Sequence, residues 1–198
     1  MPLKAAAWGR GAFSPPLLAL ALSLACTAGP RFQGTLLEPP VPALAFTLED
    51  QHGQATTLAD FRGKVVVLAF MYTRCPDVCP LLASKLQGLH EALGQEAANV
   101  AFAVVSVDPE GDTKEAALEF SRHYGMERRW SYLVGGRDAL TQVWSHYFVE
   151  AHQEGDAHSL IEHGAPVYLL DGRGEARVLL TLDNQDVPAM LHDILELR

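Results

Sequence analysis

The stretch that most restricts the fold is KVVVLAFMY, residues 64 to 72, an unbroken run of β-branched, apolar and aromatic side chains with no polar alternation. A run of that length and composition fits a strand covered on both faces, as in a sheet with helices packed against each side. It leads directly into TRCPDVCP, residues 73 to 80, so any chemistry of these two cysteines takes place at the C-terminal end of a buried strand. Leu82, Leu86, Leu89 and Leu93 then recur at helical spacing and predict a helix over 76–94, with Pro76 at its first position. A second buried strand, NVAFAVVSVD at 99–108, follows it.

The rest of the chain continues the alternation. ALAFTLEDQHGQATTLADF predicts two short extended pieces around a His52–Gly53 turn. Asp112 with Glu115 three residues on resembles a capping box, opening a helix whose apolar face carries Ala117, Phe120 and Tyr124. A short strand is predicted at 130–134, and Leu140, Val143, Trp144 and Tyr147 mark a third helix. The polar stretch VEAHQEGDAHSLIEHG precedes the strand PVYLLD, the turn GRG, the strand EARVLLTL and a last helix bearing Val187, Leu191, Ile194 and Leu195. Strands alternating with helices, closed by a hairpin and a helix, define an α/β domain with a central mixed sheet flanked by helices, in thioredoxin-like order.

At 198 residues, 48% hydrophobic and 20% charged, the chain suits one buried core. Lys4 and Arg10 followed by the apolar run Leu17 to Ala25 read as an export signal, too short to span a bilayer comfortably. Cys26 follows small and apolar residues as a lipid-modified cysteine does, with Ser23 where leucine is usual. An ordinary signal peptide cut near Ala25 or Ala28, or an uncleaved anchor, is the alternative. Residues 1–26 hold two of the 15 basic residues and none of the 24 acidic ones, so the remainder carries a net charge of −11, against a nucleic-acid partner. The Pro-rich segment 27–42 reads as a tether, and 43–198 as the folded domain.

With Cys26 assigned to the export segment, Cys75 and Cys79 are the only thiols of that domain. Four residues apart at a helix start, both sulfurs can face one volume where unpaired N–H groups favour thiolates. Such a pair serves as a disulfide, a redox couple or two ligands for a soft metal. A histidine would favour the metal. His52, His90, His123, His146 and His192 fall in a turn or in predicted helices, whereas His152, His158 and His163 lie in the polar stretch before PVYLLD. His163, nearest the strand, is the best fixed of these.

YTRCPDVCP, VSVDPEGDT and HGAPVYLLD, in that order, resemble the motifs of the Sco/SenC family of copper metallochaperones, and FTLEDQHGQATTLADFRGKVVVLAFMYT resembles the family's opening. The similarity extends over roughly 33–197, departing at Gly164, where serine or threonine commonly follows the histidine, and at Pro166. The resemblance implies that Cys75, Cys79 and His163 form one copper site, for Cu(I) and in some members also Cu(II). It further implies a membrane-tethered domain in the periplasm or on the outer face of the cytoplasmic membrane. The implied role is assembly of the dinuclear copper site of cytochrome c oxidase. The partners would then be the copper-bearing subunit of the oxidase and another periplasmic copper chaperone or a thiol reductant.

Asp77 and Asp108 are candidates for partner recognition or for supporting the ligands, although a helix-start acid and a turn acid are the plainer roles, and Asp112 reads as a cap. Trp130, Trp144 and Tyr168 read as core aromatics. The competing function is a thiol-disulfide oxidoreductase that keeps the cysteines of the copper-receiving protein reduced, with Cys75 attacking and Cys79 resolving. A peroxiredoxin-type peroxidase shares the fold, but Tyr72 and Leu68 replace its threonine and proline.

Overall fold

A computed structural model describes residues 31–153 and 161–198. The expected export segment with Cys26, the first residues of the tether and His158 lie outside the described residues.

In chain order the elements are β1 (Thr35–Val41), β2 (Leu48–Glu49), β3 (Ala55–Thr56), β4 (Val65–Met71), α1 (Val78–Leu93), β5 (Val100–Ser106) and α2 (Lys114–His123). They continue with β6 (Ser131–Leu133), α3 (Arg137–His146), β7 (Ala151–Gln153), β8 (Ile161–His163), β9 (Val167–Leu170), β10 (Ala176–Leu180) and α4 (Val187–Glu196). Six strands form one mixed sheet in the order β1-β10-β9-β4-β5-β6. β4 pairs parallel with β5 and antiparallel with β9, so the KVVVLAFMY run is central, as its composition requires. All seven residues of β4 are buried, which means both faces of the sheet are covered. This is the thioredoxin-like α/β architecture expected from the sequence.

The leucine stripe of α1 is buried along its whole length, and Gly94, at φ 53, ends the helix in a conformation that glycine adopts without strain. α1 packs on α4. Trp130, Trp144 and Tyr168 are buried, with both indole N–H groups satisfied, one by the Ser121 hydroxyl at 2.7 Å and one by the Ser106 carbonyl at 2.9 Å. Among the described residues no helix is long and apolar enough to cross a membrane.

Two elements differ from the sequence reading. The tether expected over 27–42 already contains β1, which pairs antiparallel with β10 from Thr35 opposite Leu179 to Val41 opposite Ala176. Pro39 and Pro40 are compatible with this strand because it is the sheet edge, where a missing N–H breaks no ladder on the open side. Just before it, the N–H groups of Gln33 and Gly34 donate to the Asp193 carboxylate of α4 at 2.7 and 2.8 Å, so the packed chain begins well ahead of Ala43. The second difference is the polar stretch after α3, which forms an antiparallel hairpin, β7 with β8, Ala151 opposite His163. Among the described residues it is a separate two-stranded sheet with no ladder to the main one.

Candidate metal centre

β4 ends at Met71, and the chain turns at once: the Cys75 N–H donates to the Tyr72 carbonyl at 3.3 Å. α1 starts at Val78, two residues later than expected, with Asp77 at the N-cap position making no side-chain capping bond. Pro76 therefore precedes the helix. Cys79 lies in the first turn, and its N–H, one of the donors that a helix start leaves unpaired, reaches the Cys75 sulfur at 3.5 Å. Both cysteines are free thiols and both are buried. The helix start was expected to favour thiolates, but at Cys79 burial prevails and pushes the thiol well above its ordinary value, against one backbone hydrogen bond from Tyr72.

The loop between β4 and α1 is held from below by two aspartates. Asp112 accepts from the Thr73 N–H (2.9 Å) and hydroxyl (2.7 Å) with one oxygen, and from the Ser106 and Tyr132 hydroxyls (2.7 and 3.0 Å) with the other. Burial raises its pKa in spite of those four bonds. Asp112 is thus not the cap of α2. Thr113 is, its hydroxyl accepting the Ala116 N–H at 3.2 Å. Asp108, also buried, pairs with the Arg74 guanidinium and accepts the Gly111 N–H at 2.8 Å. A side chain at Gly111 would collide with that ion pair, which accounts for glycine in the PEGDT motif. Thr73 and Arg74, immediately before Cys75, are the residues these carboxylates hold.

His163 closes β8 and brings its Nε2 to 3.8 Å from the Cys79 sulfur. Its Nδ1 lies 2.6 Å from the Gly164 carbonyl. A carbonyl can only accept, so Nδ1 carries the proton and the lone pair of Nε2 faces the sulfur. Burial lowers the imidazole pKa, the Gly164 bond opposing it, which favours the neutral ring. Two ligands of one metal at about 2.3 Å for sulfur and about 2.0 Å for nitrogen, the zinc values, stand about 3.7 Å apart at a trigonal angle. The Cys79–His163 separation matches that edge. Among the described residues, however, no group of three or more His, Cys, Asp or Glu side chains is spaced to hold a metal ion, so a three-ligand centre needs a shift of the cysteine loop or of the hairpin.

Tyr72 has no assigned role in the sequence reading, yet its ring stands against His163 at 5.6 Å between centroids and 73° between planes, and its hydroxyl accepts the Ile161 N–H at 3.4 Å. The signal lay in its position, between the strand and the cysteines. Of the other histidines, His146 and His192 contact the backbone carbonyls of Pro42 and Arg31, and His90 packs on Phe102, all away from the sulfurs. β7 places the His152 backbone opposite Glu162.

Comparison with known proteins agrees with this architecture. A solution structure of apo Sco1 from Thermus thermophilus superposes with a TM-score of 0.75 at 30% identity, over 85% of this chain and 98% of that one. A structure of Bradyrhizobium japonicum ScoI with copper bound gives 0.71 at 28% identity, over 79% and 99%. Among curated sequences, a SCO2-like protein of Rickettsia typhi is 27% identical over 135 residues, 66% of each chain, so the match spans just under two thirds of that relative's length. The SCO1/SenC family model matches residues 38–197, and the chain belongs to that family.

Proposed function

We propose that this protein is an extracytoplasmic metallochaperone that takes one copper ion as cargo on Cys75, Cys79 and His163 and delivers it to the copper-bearing subunit of cytochrome c oxidase. The carrying observation is the His163 imidazole, with Nδ1 tied to the Gly164 carbonyl and Nε2 facing the Cys79 sulfur at 3.8 Å. A backbone carbonyl on the non-ligating nitrogen is the usual support of a metal-binding histidine. Two thiolates and an imidazole suit Cu(I), which prefers soft ligands at low coordination number. The copper in the Bradyrhizobium relative supports the same cargo.

On this reading the Cys79 thiol, whose pKa burial raises, keeps its proton until copper arrives, and binding releases it. Three protein ligands leave room for a fourth. A ligand from the receiving protein enters there, and the ion passes as Cys75, Cys79 and His163 let go in turn. The 1–26 segment exports the chain and anchors it, by Cys26 if that residue is acylated, facing the periplasm. The copper donor is another periplasmic chaperone.

The test is anaerobic Cu(I) competition with a chromophoric chelator, comparing the parent with His163→Ala. The variant should lose tight binding. Equal affinity in both would remove the reading's main support.

The contact of the Cys79 N–H with the Cys75 sulfur favours a second reading, as thiol-disulfide oxidoreductase. The Cys75 thiolate attacks one sulfur of a partner's disulfide and the other leaves as a thiolate. Cys79 then attacks Cys75, releasing the partner as a dithiol and leaving a Cys75–Cys79 disulfide, two electrons having moved to the partner. No step uses an imidazole at His163, so His163→Ala should reduce a model disulfide as fast as the parent does.

A further inference from the structure

We propose that Tyr72 is a positioning residue that ties the histidine hairpin to the cysteine loop, its hydroxyl and ring holding β8 and His163 while its carbonyl holds the Cys75 backbone. The inference rests on the copper reading given above. Among the described residues β7 and β8 form a sheet of their own, with no ladder to the six-stranded sheet. The place of His163 relative to the sulfurs is therefore not set by strand pairing. It depends on side-chain contacts between the hairpin and the rest of the domain, and Tyr72 supplies two of them.

Tyr72 is the first residue past β4 and is buried. Three of its groups face the site. The carbonyl accepts the Cys75 N–H at 3.3 Å. The hydroxyl accepts the Ile161 N–H at 3.4 Å, two residues before His163. The ring meets the imidazole nearly edge-on, at 73°. Since β4 is locked at the centre of the sheet, Tyr72 transmits that rigidity to both halves of the ligand set. The hydroxyl keeps His163 beside Cys79, so the shift that a three-ligand centre requires is left to the cysteine loop, and a ligand held in place before binding loses less freedom on binding.

Tyr72→Phe keeps the ring and removes the hydroxyl's bond to the Ile161 N–H. Losing one hydrogen bond that orients a ligand should weaken Cu(I) binding about two- to ten-fold. The decisive arrangement is a double-mutant cycle on the full chain, with the parent, Tyr72→Phe, His163→Ala and the double variant in anaerobic Cu(I) competition. If the hydroxyl acts through His163, Tyr72→Phe costs under about two-fold in the His163→Ala background. In the copper-free protein the Ile161 amide should exchange with solvent about two- to ten-fold faster in Tyr72→Phe. Tyr168→Phe is the control, since that buried hydroxyl bonds the Tyr147 carbonyl and touches neither sulfur. It should lower stability and leave copper affinity alone.

Equal losses from Tyr72→Phe in both backgrounds, or an unchanged Ile161 exchange rate, overturn the positioning role while leaving the copper site standing. A His163→Ala variant that binds copper as the parent does overturns both.

Discussion

Replacing Asp112 by alanine removes the acceptor under the cysteine loop, and its cost can be worked from the bonds it leaves open. Four donors converge on the carboxylate: the Thr73 N–H and hydroxyl, the Ser106 hydroxyl and the Tyr132 hydroxyl. Ser106 still accepts the Asp108 N–H at 3.0 Å, but its own hydroxyl hydrogen, on a fully buried residue, loses its acceptor. The Thr73 hydroxyl is partly exposed and can turn to water. The Tyr132 hydroxyl, on a fully buried ring, and the Thr73 N–H are left without the acceptor they have. Each stranded buried donor costs about 1–3 kcal/mol, so with the Ser106, Tyr132 and Thr73 donors affected, Asp112→Ala should destabilise the copper-free protein by about 3 kcal/mol or more. Asparagine is the informative contrast. Its oxygen can face Thr73 while its amide N–H groups donate to the Ser106 and Tyr132 oxygens, which keeps every nitrogen and oxygen of the cluster partnered although the two hydroxyl hydrogens turn away, so Asp112→Asn should cost clearly less than alanine, about 1–2 kcal/mol. Urea unfolding near neutral pH, with the slope unchanged among variants, gives both numbers. If alanine proves as mild as asparagine, the carboxylate does not hold the loop and the reasoning fails.

Two buried aspartates should respond to pH with opposite sign. Asp112 has a raised pKa, burial being the cause, so its contribution is fullest below the ordinary aspartate value of about 3.9 and declines as pH rises. The stability of the parent relative to Asp112→Asn should therefore fall from about pH 4 upward. At Asp171 burial also acts to raise the pKa, but N–H bonds from Arg173 and Glu175, with the Arg173 side chain, outweigh it and lower the value. Its contribution is present above about pH 3.9 and lost as pH falls, so the gap between the parent and Asp171→Asn should close on acidification, and a gap that widens would refute the assignment. Phe148 is 78% exposed at φ 54, a left-handed conformation that costs a non-glycine residue about 1 kcal/mol. Phe148→Gly should leave the melting temperature unchanged or raise it; a clear fall would show that the exposed ring stabilises the fold.

The main sheet was legible because β4 and β5 are buried on both faces and their composition says so, and α1 because its leucines repeat at helical spacing. β1 was not, since Pro39 and Pro40 look like tether residues unless the strand is known to sit at an edge. The β7–β8 hairpin escaped for a different reason: strands of three residues in a polar segment show no alternation long enough to read. Cys75, Cys79 and His163 stood out by residue type and by family motif, and the fold brings Cys79 and His163 to 3.8 Å. The residues that support them were harder to find. Asp112 mimics a cap because it precedes α2 by two positions, and only the tertiary fold shows its side chain turned inward to Thr73, Ser106 and Tyr132. Tyr72 looked like one more apolar residue of the strand run until the hairpin was seen to rest on it.

The central claim is most directly tested by X-ray absorption of the copper(I)-loaded protein, prepared without oxygen at one equivalent. The account requires a single copper with two sulfur neighbours near 2.3 Å and one nitrogen near 2.0 Å, roughly the distances thiolate and imidazole adopt on zinc. Cys75 and Cys79 variants should each lose one sulfur, and the His163 variant the nitrogen. A copper with sulfur neighbours alone, or a spectrum indifferent to His163, would contradict it.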